Sequence, residues 1–283
     1  MNSGSPLQIA AFLDTRPGHV KQTLGIVDAL QEMTAVEIQR ISLPHLTTGD
    51  EIINWIRYFF TPGGSCSVGL KGIDLLIGTG SRTHVPMLSC KKKYRVPAVT
   101  CMTPAWPLRQ KFDLCFVPQH DRVRGGGNIF VTIGPPNRSR SGDKHDPASG
   151  LILIGGTDEK SHIWDNQSIL NAVGSLLDEE DGRVWTISTS PRTPKETAAG
   201  LAELVSNRPG VLFVPFEDTG PGWIEREYER NQTVWVTADS MSMVFEALSA
   251  GCRVGLLPVA WKRRNNKFQD SEDNLSREGY IVT

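Results

Sequence analysis

The stretch TADSMSMVFEALSAG, Thr237 to Gly251, decides how the chain folds. TVWV, a β-branched apolar segment, precedes it, and RVGLLPV, a second apolar segment, follows it. Met241, Val244, Phe245 and Leu248 recur at three- and four-residue steps, the spacing of one helix face. The whole is a strand–turn–helix–strand unit of a parallel sheet. Asp239 and Ser240 fall where the strand ends and the helix begins. There a carboxylate or hydroxyl caps free backbone amides, or those amides hold a phosphate. Glu246 lies about two turns into the helix, off the apolar stripe. It is either a solvated side chain on a capped core helix or a ligand contact.

The chain of 283 residues has the length of about two domains. Hydrophobic residues make up 39%, enough for a sizeable core. Thirty basic residues balance 31 acidic ones, so no global field points to nucleic acid as a partner. The five cysteines are odd in number and show no CxxC spacing, which favours free thiols in a reducing cytosol over a disulfide framework. The six histidines form no HExxH or similar spacing, so neither a metal nor another cofactor is expected. MNSGSPLQIAAFLD has no basic start and too short an apolar run for a signal peptide, and no run approaches a membrane span. A cytoplasmic protein is expected, with peripheral contact at a membrane surface left open.

Outward from the deciding stretch, the same alternation recurs along the chain. Strands are predicted over Gln8–Leu13, Val36–Leu43, Ile73–Ile77, Val96–Met102, Leu114–Val117 and Ile129–Ile133. Helices are predicted after Pro17, with Leu24, Val27 and Leu30 on one face, and over Asp50–Phe60. TPGGSCSVG reads as a loop, and Gly134–Gly150, poor in apolar residues, as an interdomain linker. A second series then follows. Its predicted helices are Ile169–Leu177, Lys195–Val205 and Trp223–Arg230, among the strands LILIGG, RVWTIST, VLFVPFE and TVWVTAD. Two βα series predict an α/β protein of two Rossmann-like domains facing across a cleft, residues 1–140 and 150–283.

Open parallel sheets bind ligands outside the carboxyl ends of their strands. Five polar turns stand there: Asp14–His19, Gly78–His84, Gly155–Asp158, Ser188–Thr193 and Ala238–Ser240. Glycines let backbone approach a phosphate, and arginines such as Arg16, Arg82 and Arg192 neutralise a diphosphate unless they are solvated loop residues. Neither GxGxxG nor GxxxxGK[ST] nor GxSxG occurs. His19 and Asp14 are candidates for a general base, since the positive end of a helix dipole disfavours imidazolium. The alternative for His19 is a structural role at a helix start. His84 is structural or contacts substrate, and His120-Asp121 reads as a capped loop.

DTRPGHVKQTLG, GTGSRTHVPML, FDLCFVPQHD, LILIGGTDEKSHIW, TISTSPRTP and VTADSMSMVFEALSAG resemble, in order, the motifs of the mitochondrial-fission (elongated mitochondria) family. Thr15 stands where that family usually has Gly, and Ser81 where it usually has Arg. The resemblance runs from Asp14 to about Phe268 and implies a fold like that of GT-B glycosyltransferases and sugar-nucleotide epimerases. Family members tend to continue beyond the position of Thr283, where a closing helix crosses back to the first domain. The resemblance implies a nucleotide sugar as partner, with an unidentified acceptor and metal-independent glycosyl transfer or a related sugar-nucleotide reaction such as epimerisation. On the donor side, Gly155, Gly156 and Thr157 would contact phosphate, with Ser190, Arg192, Asp239, Ser240 and Ser242 nearby and Glu246 on the ribose. On the acceptor side, His19 would act as base with Asp14 and Arg16, and Arg82 and His84 would contact substrate. The rival implied by the plant members is a non-catalytic adaptor that recruits a partner protein. The sequence leaves the oligomeric state open.

Overall fold

The computed structural model describes residues 5–44, 48–60, 66, 68–142, 144–180, 182–262 and 267–283. The chain divides into two compact units, Met1–Arg138 and Ser139–Thr283.

The first unit runs β1 (Leu7–Leu13), α1 (Pro17–Met33), β2 (Val36–Ser42), α2 (Thr48–Phe60), β3 (Leu75–Thr79), α3 (Ser81–Tyr94), β4 (Ala98–Cys101), the single turn α4 (Trp106–Arg109), β5 (Leu114–Pro118) and β6 (Ile129–Thr132). Its strands form one parallel sheet in the order β2-β1-β3-β4-β5-β6. The chain reverses direction across the sheet between β1 and β3, which makes that pair the topological switch point. Ile9, Ala10, Ala11 and Phe12 are all fully buried, as befits a central strand covered on both faces. Val27 of α1 closes one face with Ile9 and Ile77, and Met87 and Leu88 of α3 close the other with Phe12. Gly78 of β3 is required by this packing, because a Cβ there would lie 2.6 Å from Met87 Sδ.

The second unit runs β7 (Asp146–Leu153), β8 (His162–Ile163), α5 (Asn166–Glu179), β9 (Val184–Ser188), α6 (Lys195–Val205), β10 (Val211–Val214), α7 (Trp223–Arg230), β11 (Asn231–Thr237), α8 (Met241–Ser249), β12 (Arg253–Leu257), β13 (Ala260–Trp261), α9 (Lys267–Arg277) and β14 (Ile281–Val282). Its main sheet is parallel in the order β10-β9-β7-β11-β12-β14, with its switch point between β7 and β11. β8 and β13 form a separate antiparallel ribbon. Trp185 of β9 lies opposite Gly150 of β7, and Trp235 of β11 lies opposite Gly255 of β12. A Cβ at either glycine would fall within 2.5 Å of the indole it faces.

Two α/β units, each with a parallel sheet, agree with the fold class expected from the βα alternation. Several details differ. The buried stripe of α1 is Thr23 and Val27, with Ile26 and Leu30 packed beside Val27, whereas Leu24 is only half-buried. A polar residue can occupy the stripe because the Thr23 hydroxyl donates to Thr79 Oγ1 at 2.9 Å. α3 was not predicted, since Pro86 and three lysines obscure its periodicity. β7 begins at Asp146, inside the stretch whose composition marks a linker, because pairing with Asn231 and Val184 fixes those polar residues in the sheet. The loop TPGGSCSVG lies largely outside the described residues.

The expectation of free thiols is corrected at two positions. Cys66 and Cys90 form a disulfide, their Cα atoms 4.9 Å apart. The partners are separated by 24 residues and meet only because the chain ahead of β3 folds against α3, which no spacing rule reveals. Cys101, Cys115 and Cys252 are free and buried, and burial pushes their thiols up, to about 12, 11 and 12. The argument from free thiols for a reducing compartment therefore no longer holds. Among the described residues, no helix is long and apolar enough to cross a membrane. Thiol titration under denaturing, non-reducing conditions should count three thiols, and five after reduction. Five before reduction would show that the bridge does not form.

Candidate functional site

Polar turns converge at the switch point of each sheet. In the first unit β1 ends at Leu13 and Asp14 follows at once, with a buried side chain. Its Oδ1 accepts from the Arg16 amide at 2.8 Å, and its Oδ2 lies 2.6 Å from Nδ1 of His19 in the first turn of α1. A carboxylate can only accept, so the ring presents an Nδ1 proton to it. Gly80, which caps α3 with φ +93°, makes room for this pair: a Cβ there would sit 2.3 Å from His19 Nδ1. Arg82 Nη1 donates to Thr15 Oγ1 at 3.2 Å, which ties the second turn to the first. The Arg16 side chain is exposed, and only its amide joins the cluster.

His84, on the first turns of α3, is 3% exposed, and its Nε2 has no hydrogen-bond partner among the described residues. Burial, and secondarily the charge of His19, lower its pKa to about 4, so its ring is neutral at neutral pH. It stands edge-on to Phe112 and lines a cavity of about 80 Å³ with Asn54, Trp55, Ser81, Arg82 and Ala105. His120 and Asp121 sit in a short 3-10 turn that has no side-chain cap, and Asp121 accepts from the Thr103 hydroxyl at 2.9 Å.

In the second unit the turns after β7, β9 and β11 form one hydrogen-bonded network. The Gly155 amide donates to Thr237 Oγ1 at 2.7 Å, the Gly156 amide to Asp239 Oδ2 at 3.1 Å, and the Thr157 amide to the Arg192 carbonyl at 3.1 Å. Arg192 Nη2 meets the same Asp239 Oδ2 at 2.9 Å, and Nη1 donates to the Gly156 carbonyl. Ser190 Oγ and Thr193 Oγ1 both donate to the Gly155 carbonyl. The three amides expected to hold a phosphate thus already donate inside the protein. The glycines also have a packing reason, because a Cβ on Gly155 would strike the Asp239 carboxylate and one on Gly156 the Arg192 backbone.

Ser240, Ser242 and Glu246 stand on or before α8, outside this network. Ser240 is the N-cap residue of α8, and its side chain makes no capping bond. Of its opening amides, those of Met243 and Val244 already donate to the Ser240 carbonyl, at 2.9 and 3.2 Å. Ser242 is exposed and shares a helix face with half-buried Glu246, four residues on. Burial, and then the Glu246 charge, push the Tyr228 phenol well above its ordinary range. Met241, Val244 and Phe245 are buried as the apolar spacing requires, and Leu248 is half-buried.

Three supporting residues escaped sequence reasoning. Thr237 and Thr193 hold the glycine turn, and His162 is buried with Nε2 2.9 Å from the Gly156 carbonyl and Nδ1 2.8 Å from Ser161 Oγ. The threonines give no signal because each uses a single hydroxyl. His162 lies six residues past Gly156, close enough to have been read with it. Among the described residues, no cluster of three or more His, Cys, Asp or Glu side chains is arranged to hold a metal ion.

These two parallel-sheet units make an α/β fold of GT-B type. The fold is similar to that of a Listeria monocytogenes protein provisionally assigned as a UDP-N-acetylglucosamine 2-epimerase (TM-score 0.60, 14% identity, 99% of this chain and 84% of that one). It is also similar to Phytolacca americana UGT2 complexed with UDP-2-fluoroglucose and pterostilbene (TM-score 0.55, 10% identity, 100% and 86%). A third similar structure is S. aureus MnaA with UDP (TM-score 0.50, 15% identity, 97% and 89%). Comparison with curated proteins gives no match. Residues 17–283 match the Mitochondrial fission ELM1 family, and the chain belongs to that family.

Two outcomes follow from the geometry. An unfolded imidazole takes a proton below about pH 6.5, whereas folded His84 refuses it until about 4. Unfolding free energy should therefore fall as pH drops through that window and be unaffected by His84 above it. His84→Gln should flatten the acid side of the curve by up to about 1.4 kcal/mol per pH unit, measured by urea unfolding at stepped pH. Asp239→Ala should lower stability by about 1–3 kcal/mol, because the buried Gly156 amide loses its acceptor. Unchanged urea midpoints would show that the network is replaceable by water.

Proposed function

We propose that this protein transfers a glycosyl group from a nucleoside diphosphate sugar to an acceptor hydroxyl, with donor binding in the second unit and acceptor activation in the first. The observation that carries this reading is the 2.6 Å contact between Asp14 and His19 at the switch point of the first sheet. In the proposed step His19 Nε2 takes the acceptor's proton as the acceptor oxygen bonds to the anomeric carbon. The bond from that carbon to the diphosphate breaks, and the nucleoside diphosphate leaves with the electron pair. Arg16 assists on the acceptor side, and Arg82 and the His84 cavity contact the acceptor.

For the donor, Arg192 is the partly exposed cation beside the glycine turn, and the Met241 and Ser242 amides at the start of α8, with the Ser240 and Ser242 hydroxyls, supply further donors for the diphosphate. Gly155, Gly156 and Thr157 then shape the phosphate site by close backbone approach rather than by free amides. Glu246 takes the ribose hydroxyls. This arrangement meets the leaving charge with protein cations and amides, without a metal. Uridine is the first base to test, since UDP or a UDP sugar accompanies two of the similar structures.

The test is ligand-induced stabilisation across uridine, guanosine, adenosine and cytidine diphosphates and their sugars. A ligand at a hundred times its Kd should stabilise the protein by about 2.7 kcal/mol. Glu246→Ala should weaken nucleotide binding by about 1.5–3 kcal/mol with the fold retained. His19→Ala should lower turnover by about 100- to 10,000-fold and leave nucleotide binding nearly intact. No stabilisation by any nucleotide would overturn the reading in favour of an adaptor that recruits a partner protein.

A further inference from the structure

Among the described residues, exposed large apolar side chains stand singly or in neighbouring pairs except on α2. There Ile52, Ile53, Ile56, Phe59 and Phe60 are all exposed. Ile52, Ile56 and Phe59 follow one another at helical steps, and Ile53 and Phe60 lie one step round, so the five make one continuous face. The opposite side anchors the helix: Tyr58 is buried and Trp55 packs on the core of the first unit. Phe59 is held by Trp55, stacked at 5.7 Å, and by Tyr58, edge-on at 5.1 Å. The apolar face is therefore presented on a fixed support.

Positive charge borders it. Lys91, Lys92 and Lys93 close α3, and Arg95 follows. Lys92 Nζ lies 5.8 Å from the centre of the Tyr58 ring, which places this cationic end against α2. Lys91 is paired with Asp113 and Lys93 Nζ donates to the Cys66 carbonyl at 3.2 Å; Lys92, Lys93 and Arg95 are exposed, as is Arg57 at the margin of the apolar face. Trp106, 81% exposed, follows Ala105, which lines the same small cavity as Asn54 and Trp55 of α2. Cations clustered at the border of an apolar face are charge-complementary to anionic headgroups lying above an acyl boundary. Apolar side chains, lysines and an interfacial tryptophan together suit an anionic bilayer surface.

We infer that α2 is a membrane-docking helix that lies in the interface of an anionic bilayer. Ile52, Ile53, Ile56, Phe59 and Phe60 enter the acyl boundary, while Arg57, Lys92, Lys93 and Arg95 meet lipid phosphates. This inference stands apart from the nucleotide-sugar reading, since it uses none of the residues assigned to donor or base.

The test is co-sedimentation of the full chain with vesicles of phosphatidylcholine alone or mixed with phosphatidylglycerol. The wild type should partition onto the mixed vesicles, less so as salt rises. Ile56→Ser with Phe60→Ser should reduce partitioning more than about tenfold. Lys92→Gln with Lys93→Gln, which leaves the apolar face intact, should reduce it by about fivefold per cation. Both variants should keep the wild-type Tm. Absence of wild-type partitioning, equal binding to both vesicles, or undiminished binding by the serine variant would overturn the inference. So would a vesicle-free dimer that the serine substitutions split into monomers while vesicle binding persists unchanged.

Discussion

The carboxylate of Asp239 is fully buried at the end of β11, and a charge in that position must be matched. Its Oδ2 is met from two other strand ends, by the Gly156 amide after β7 and the Arg192 guanidinium after β9, whereas Oδ1 is buried without a hydrogen-bond partner among the described residues. Three turns that are far apart in sequence are thus brought to one anion. Each of the surrounding choices follows from it. Gly155 must lack a side chain to clear the carboxylate, and Thr237 and Thr193 take up the backbone groups that the tight turn leaves behind. Removing one partner of such an arrangement costs more than making it gained, because the desolvated charge or amide stays behind.

The first unit solves the same problem with different partners. Asp14 is buried at the end of β1, its neighbour is a histidine instead of an arginine, and a glycine on the adjoining turn again clears the space. In both units the carboxylate and the glycine stand at the strand pair where the sheet order reverses. A polar residue is tolerable there because the splayed chain ends leave donors that nothing else satisfies. The histidine version leaves the second ring nitrogen outside the pair, and the arginine version leaves a partly exposed cation. One suits proton transfer and the other suits an anion.

Much of this was legible in the residues. Met241, Val244 and Phe245 announce α8 because a helix packed on a sheet must place apolar residues at its own period, and QIAAFL and LILIGG announce central strands because both faces are covered. The turns at Asp14, Gly80, Gly155 and Asp239 could be placed from chain order, since a parallel sheet puts every βα turn on one edge. The glycines were legible only as turn residues. That the Gly155 and Gly156 amides are spent on Thr237 and Asp239 depends on packing between turns 82 and 83 residues apart, which leaves no periodic trace. α3 was hidden because its buried face includes Thr83, His84 and Ser89, polar groups that count against a helix stripe in any hydropathy pattern. The Cys66–Cys90 bridge was hidden for the same reason as the turn network: two positions meet through the fold of the intervening β3.

The two tryptophans that lie over glycines in the second sheet have a consequence for alignment. Side chains alternate faces along a strand, so the smallest slip that keeps both faces intact is two residues. A two-residue slip of β9 against β7 would bring Trp185 over Ala148 or Ile152 in place of Gly150, and the same slip of β12 against β11 would bring Arg253 or Leu257 under Trp235. Each replacement puts a Cβ where the indole already lies. The pairs therefore act as keys, one fixing β9 on β7 and the other fixing β12 on β11. The ends of β7 and β9, which both reach one carboxylate, are aligned from within the sheet by bulk placed against its absence.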